Sequence, residues 1–243
     1  ANPDGQKINH VAGSTHIEGL VKLVREQHLD VGFAFDGDAD RCLAVDENGN
    51  VVNGDHILYI LANQLKRKGI LNHDTIVATV MSNGGLTKAL REVGINTVKT
   101  AVGDRYVYEA MMKDGYLLGG EQSGHIILQK YATTGDGILT ALMLMEEILD
   151  RKSTLGKLAS PVKIFPQSLI NIKVPDKDAV MNDEHVKSIV REIEEELGEN
   201  GRILLRKSGT ENVIRVMVEC ENEEQCNSCA EKAAAYIRER YGK

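Results

Sequence analysis

Between residues 20 and 152 the chain alternates short apolar runs with segments of helical period, and this alternation restricts the available folds more than any other feature. Residues 20–28 read as a helix and residues 31–35 as a buried strand. Residues 42–46 read as a second strand, closed by the turn signal Glu47-Asn48-Gly49-Asn50 ahead of Val51 and Val52. Residues 55–68 carry Ile57, Leu58, Leu61 and Leu65 at helical spacing and stop at Gly69. Strands follow at residues 75–80, 96–101 and 116–119, separated by helices opening at Ser82-Asn83-Gly84-Gly85 and spanning 104–113. A long helix covers 136–152. Alternation of this kind predicts parallel strands joined by crossover helices, an α/β architecture.

After Pro161 the pattern changes. Pro161, Pro166 and Pro175 fall close together, which suits a boundary. Beyond it the sequence predicts a strand near 169–174, an acidic helix over 183–197, two strands around 206–212 and a closing helix over 223–240. The fold class expected is therefore α/β, with mixed sheets and crossover helices, followed by a small α+β domain. The beginning is thin by comparison. Residues 2–20 offer one helix and one strand, little for the opening of an α/β domain, so the chain reads as the later part of a longer protein.

Composition narrows the function classes. Hydrophobic content of 42% and charged content of 27% are those of a globular protein. Aromatics make up 4% and Trp is absent, so aliphatic side chains must build the core. A net charge of -7 argues against nucleic acid or an anionic membrane as partner. No apolar run reaches membrane-spanning length and Ala1-Asn2-Pro3-Asp4 has no signal-peptide character, which makes the cytosol the expected compartment. Cys226 and Cys229 form a C-x-x-C, but no second pair completes a zinc site and no strand feeds it as in a redox motif. Reduced helix residues are the reading preferred for them.

Three stretches carry chemistry. In Asp36-Gly37-Asp38-Ala39-Asp40-Arg41 three carboxylates repel one another at the end of an apolar strand, an arrangement that a divalent cation relieves. Oxygen ligands without Cys or His favour Mg²⁺ or Ca²⁺. An EF-hand loop shares the acid spacing, yet Arg41 stands where its glycine belongs and the flanks are strands. The second stretch, Gly119-Gly120-Glu121-Gln122-Ser123-Gly124-His125, follows a strand and offers acceptors and donors suited to sugar hydroxyls. His125 adds a group able to move a proton near neutral pH, although a lone His after such a loop is more often structural. The third, Arg206-Lys207-Ser208-Gly209-Thr210-Glu211-Asn212 with Arg215, combines hydroxyls, backbone N–H groups and guanidinium forks, as a phosphate dianion requires. Weaker signals are Val102-Gly103-Asp104-Arg105 and Thr133-Thr134-Gly135-Asp136-Gly137, which also fit ordinary helix starts.

In this order the three motifs, together with residues 79–83, 102–107 and 133–137, resemble the metal loop, sugar loop and phosphate loop of the α-D-phosphohexomutases, over essentially the whole chain. The resemblance implies residues 1–54 as the end of the family's second domain with its metal loop, 55–160 as the sugar-recognition domain and 161–243 as the phosphate-binding domain. It implies an isomerase, a phosphosugar mutase, that exchanges a phosphoryl group between an active-site phosphoserine and a sugar through a bisphosphate. Asp36, Asp38 and Asp40 would ligate Mg²⁺, with Arg41 beside the reacting phosphoryl group. Glu121, Ser123 and His125 would meet the sugar, His125 as candidate proton-transfer residue, and Asp104 and Arg105 would join them in binding substrate. Arg206, Ser208, Gly209, Thr210 and Arg215 would hold the phosphate that is not transferred. A phosphorylated hexosamine is the implied substrate, with hexose phosphates and a non-catalytic sugar-phosphate module as alternatives. A homodimer is left open for the intact enzyme.

Two departures from the family pattern stand out. Lys207 and Asn212 replace prolines usual beside the Ser-Gly-Thr. The family's nucleophile sits in Ser-His-Asn, which does not occur here; in Ser14-Thr15-His16 a Thr separates Ser from His. The 243 residues taken alone are therefore expected to lack mutase activity.

Overall fold

A computed structural model describes residues 12–208 and 211–242. Most of residues 2–20, for which the sequence predicts one helix and one strand, lie outside the described residues. The chain divides into two compact units, residues 1–163 and 164–243.

In the first unit, helix α1 (Glu18–Gln27) precedes β1 (Val31–Phe35), β2 (Cys42–Asp46) and β3 (Val51–Val52). These three strands form one antiparallel sheet in the order β1-β2-β3. The parallel arrangement expected from alternation does not extend to them. The cause is connection length: a parallel pair needs a crossover of about a dozen residues or more, and the aspartate loop can only reverse the chain.

Parallel pairing begins further on. Helix α2 (Gly54–Arg67) leads to β4 (Thr75–Thr79), α3 (Gly84–Glu92), β5 (Asn96–Thr100), α4 (Asp104–Asp114), β6 (Leu118–Gly120) and β7 (Ile126–Leu128). The sheet order is β5-β4-β6-β7; β4 runs parallel to β5 and β6, and β7 returns antiparallel to β6. Helix α5 (Gly137–Arg151) and the short α6 (Leu155–Ala159) complete the unit.

Every residue of β4 is buried because both faces of this sheet are covered. Ile76 and Ala78 point into the larger core with Leu118, Ile126 and Leu128. Val77, between them, points the other way, to Val107 and Met111 of α4. Helix α2 lies inside the larger core, where Ile57, Leu58, Tyr59, Ile60, Leu61 and Ala62 are all buried. A helix apolar on every side is one surrounded by protein. Its start is fixed by a capping box in which Asn53 accepts from the backbone N–H of His56 and the His56 ring answers the Asn53 N–H.

The second unit is a three-stranded antiparallel sheet, order β8-β10-β9, built from β8 (Gln167–Lys173), β9 (Gly201–Lys207) and β10 (Val213–Cys220). Helices α7 (Lys177–Asn182), α8 (Glu184–Leu197) and α9 (Glu223–Tyr241) complete it. Ile189, Ile193 and Leu197 of α8 meet Ile214, Val216 and Val218 of β10 in one core with Ala230, Ala234 and Ile237 of α9. Cys226 and Cys229 lie on α9 as buried free thiols. Burial pushes both above the ordinary thiol range, Cys229 to about 11, so neither is a ready thiolate. Cys42 is likewise free and buried, and pushed up to about 12.

Asp183 ties this unit together at the start of α8. Its carboxylate accepts from the N–H groups of His185 and Val186, at 2.7 and 3.3 Å, and from the Tyr241 hydroxyl at 2.6 Å. The Tyr241 hydrogen bond, followed by those two backbone bonds, holds the carboxyl below its usual range. A folded-state value below the unfolded one contributes stability above the unfolded value and loses it as pH falls through the folded one. Acid unfolding between about pH 5 and pH 3 should therefore be shallower in Asp183→Asn than in the parent chain, read from urea midpoints by circular dichroism. Equal acid slopes would remove this linkage.

Candidate phosphosugar and metal site

All three chemistry-bearing stretches are hairpin connections. The aspartate loop joins β1 to β2, the Gly-rich loop joins β6 to β7, and residues 208–212 join β9 to β10. A hairpin tip places consecutive polar side chains at the end of a buried pair of strands without interrupting the ladder.

The aspartate loop reverses through Ala39, whose φ of 59° lies in the left-handed region. The Ala39 N–H donates to the Asp36 carbonyl at 3.2 Å and the Arg41 N–H to Asp36 Oδ1 at 3.1 Å. Asp36, Asp38 and Asp40 each offer a carboxylate oxygen, and these oxygens lie within 4.8 Å of one another. Arg41 Nε stands 3.7 Å from Asp36 Oδ2 and 4.0 Å from Asp40 Oδ1. That is one cation against three acids. Asp40 Oδ1 is buried and accepts no hydrogen bond. A buried carboxylate oxygen without a donor, among converging oxygens, fits a hard divalent cation.

The other Asp40 oxygen is engaged. His125, 3% exposed, lies with Nδ1 2.9 Å from Asp40 Oδ2, while its Nε2 accepts the Gly135 N–H at 3.0 Å. Because Nε2 accepts, the ring proton sits on Nδ1 and is donated to Asp40. Both ring nitrogens are therefore occupied, in contrast to the free nitrogen that the proton-transfer role expected of His125 requires. Here the imidazole aims a carboxylate and fixes the segment before α5.

That segment was the weakest of the sequence signals, and the structure presses it against the aspartates. A Cβ on Gly135 would stand 2.6 Å from the Asp40 carbonyl oxygen, and one on Gly137 would stand 2.5 Å from that of Arg41. The Gly137 N–H donates to the Ala39 carbonyl at 2.8 Å. Gly124 packs against the same loop: its carbonyl accepts the Cys42 N–H at 3.1 Å and its φ is 92°. Sequence reasoning assigned Gly135 and Gly137 no site role; two glycines flanking one Asp were the available signal. Asp136 itself caps α5 through the Leu139 N–H, as a helix start predicts.

Glu121 reaches the neighbouring loop, where Oε1 accepts the Gly103 N–H at 3.0 Å. Ser123 is exposed at the tip. Asp104 and Arg105 open α4 as exposed residues, and the Arg105 guanidinium pairs with Glu109 at 2.7 Å. That partner raises the Arg105 pKa further, so its charge is permanent but directed along its own helix.

In the second unit, Arg206 and Arg215 are direct cross-strand partners. Two like charges opposite one another on one face are destabilising unless an anion lies between them. Among the described residues Arg215 has one acidic partner, Glu211, 3.8 Å away, and its Nε has no hydrogen-bond acceptor. Ser208 is buried; its N–H donates to the Val213 carbonyl at 2.9 Å and its Oγ accepts the Glu211 N–H at 3.3 Å. Lys177, which sequence reasoning missed, spans the loop base by donating to the carbonyls of Ser208 and Glu211 at 2.8 and 2.9 Å. Gly209 and Thr210 lie outside the described residues.

Family models match three successive parts of the chain. Residues 1–49, 53–165 and 169–235 match, in turn, the models of phosphoglucomutase/phosphomannomutase alpha/beta/alpha domain II, alpha/beta/alpha domain III and the C-terminal domain. The chain belongs to this family, the phosphohexomutases. Among curated relatives, the phosphoglucosamine mutase of Lachnospira eligens is 57% identical over 98% of the chain and 53% of its own length. That of Anoxybacillus flavithermus is 54% identical over 100% of the chain and 54% of its own length. The chain thus spans about half the length of the curated relatives it matches. In fold it resembles the Aspergillus fumigatus N-acetylphosphoglucosamine mutase solved with GlcNAc-6P and magnesium, with a TM-score of 0.70 at 21% identity over 98% of the chain and 54% of that structure. The chain's mixed α/β sheets are thus those of the phosphohexomutase fold.

In this frame Gly124 is the most exacting position beside the aspartates. A Cβ there would stand 2.3 Å from the Cys42 carbonyl oxygen, on a backbone already at φ 92°. Gly124→Ala should cost about 1–3 kcal/mol in urea unfolding. It should also change the 1H–15N NMR positions of the residue 36–41 amides; an unchanged spectrum would count against the packing described.

Proposed function

We propose that this chain supplies the metal-binding, sugar-binding and phosphate-binding loops of an enzyme interconverting glucosamine 6-phosphate and glucosamine 1-phosphate in amino-sugar metabolism of the cytosol. The amino-sugar assignment is supported by relatives at 50–57% identity bearing the name phosphoglucosamine mutase. The observation carrying the phosphosugar reading is the presence in one chain of an oxygen-only cation site and, at another hairpin, of two cross-strand arginines, of which Arg215 has a buried Nε without an acceptor. On this reading residues 1–54 end domain two, 55–160 form domain three and 161–243 form domain four.

Asp36, Asp38 and Asp40 hold Mg²⁺, and the free Oδ1 of Asp40 is the atom best prepared for it. Bound there, the ion would neutralise charge on the phosphoryl group during transfer. Arg41 supplies a fixed positive charge beside the same group. His125 acts as a positioning residue, delivering Asp40 in one orientation through Nδ1. Glu121, fixed by the Gly103 N–H at one oxygen, keeps its other oxygen for a sugar hydroxyl, and Ser123 stands beside it. Asp104 and Arg105 border that loop. Arg206, Ser208, Gly209, Thr210 and Arg215 hold the phosphate that is not transferred, with the guanidiniums giving charge-assisted bonds. The phosphoserine belongs to no Ser-His-Asn of these 243 residues.

Isothermal titration with glucosamine 6-phosphate tests the phosphate loop. Arg206→Ala and Arg215→Ala should each weaken binding about tenfold or more, and unchanged affinity would overturn the assignment. A parallel Mg²⁺ titration should show Asp40→Asn binding about tenfold or more weaker than the parent chain. The purified chain alone should form no glucosamine 1-phosphate. Turnover by it, free of contaminating mutase, would contradict the requirement for an external phosphoserine.

A further inference from the structure

The first unit contains a cavity of about 360 Å³ that shares no residue with the hairpin loops. It opens between α2, α5 and α6, and four cations line it: Arg67, Arg151, Lys152 and Lys157. Glu147 is the single acid in the lining. This balance is opposite to that of the chain as a whole, with its net charge of -7.

Glu147 does not neutralise the group. It is 3% exposed and already paired with Arg67, which also stands 3.9 Å from Asp150. Arg151, Lys152 and Lys157 form no ion pair among the described residues. A helix C-terminus attracts cations, which accounts for Arg151 in the last turn of α5 and for Lys152 behind it. It does not account for Lys157, which reaches the same space from α6. Nor does it explain Lys152 itself, held at φ 47° where a glycine would sit more easily.

The remaining lining is mixed. Tyr59 and Ser153 bring hydroxyls, while Ile60, Leu158 and Pro161 form apolar walls. Guanidinium forks and ammonium groups suit a dianion, and the apolar walls suit a short carbon skeleton attached to it. The volume falls in the lower part of the range of small-molecule sites, about 300–1,000 Å³. We propose that this cavity is a binding site for a small organic phosphate monoester, separate from the sugar and metal loops.

Phenyl phosphate is a suitable probe, followed by 1H–15N NMR of the full chain, with inorganic phosphate and phenol as controls. Phenyl phosphate should shift, saturably, the amides of residues 59–67 and 151–158, inorganic phosphate should do so more weakly and phenol not at all. The double variant R151Q/K157Q removes no ion pair and should keep the fold, while raising the Kd about tenfold or more. Arg206→Ala should leave these shifts unchanged, which separates them from any binding at the β9–β10 loop. No shifts at 59–67 and 151–158, equal affinity in the double variant, or equal affinity for inorganic phosphate would each overturn the proposal.

Discussion

Three carboxylates within 4.8 Å of one another are the constraint around which the first unit is arranged. Left to themselves they would spread apart, since like charges at such range repel by an amount comparable to single hydrogen bonds even near water. The chain holds them by backbone rather than by countercharge. Gly124 closes on Cys42, and Gly135 and Gly137 close on Asp40 and Arg41. Only segments without a Cβ come this near, so the glycines of two distant motifs and the position of the aspartates are one feature. The His125 ring joins them by bonding Asp40 and Gly135 at once.

The hairpin explains how so much polar chemistry is compatible with a buried sheet. Strands β1 and β2, β6 and β7, and β9 and β10 each send buried residues down the ladder and release polar ones at the turn. A crossover connection would spread the same residues over a helix start, as happens at Asp104 and Asp136, where side chains are spent on capping or on a local pair. The tips therefore keep carboxylate oxygens available, and the paired strand ends beside the β9–β10 turn carry the guanidiniums. Asp40 Oδ1 and Arg215 Nε are the atoms in which this shows, since each is buried without a hydrogen-bond partner.

Much of this arrangement was legible in the sequence. The apolar run before Asp36, the helical period of residues 55–68 and the acidic helix before Leu197 each carried their own signal, and each element is found within a residue or two. What escaped was tertiary. Strand β7 is three residues long and hides behind the Gly-rich loop, too short for any period to register. The antiparallel course of β1 to β3 follows from loop length, which alternation of elements does not encode. Gly135 and Gly137 read as helix-start residues because close approach depends on what arrives from 85 residues away or more. Arg206 and Arg215 were legible as basic residues, but their direct opposition needs the register. His125 was visible as a residue type, whereas its two bonds depend on both partners being in place.

The two sets of loops share one electrostatic logic with opposite signs. At the aspartates the protein assembles negative charge with a single arginine to balance it; at the β9–β10 hairpin it assembles positive charge with one exposed glutamate nearby. Each arrangement costs stability as it stands, and the core beneath it offsets that cost: Ile214, Val216 and Val218 behind Arg215, Ala34 and Ala44 behind the aspartates. A ligand of the right sign removes repulsion and forms new bonds in one event, so its binding energy includes strain already paid in folding. Neutral or wrongly charged molecules of the same shape gain neither. On the proposed function, selection by charge precedes any discrimination among sugar hydroxyls, and that discrimination falls to the loop in which Gly103 fixes one oxygen of Glu121.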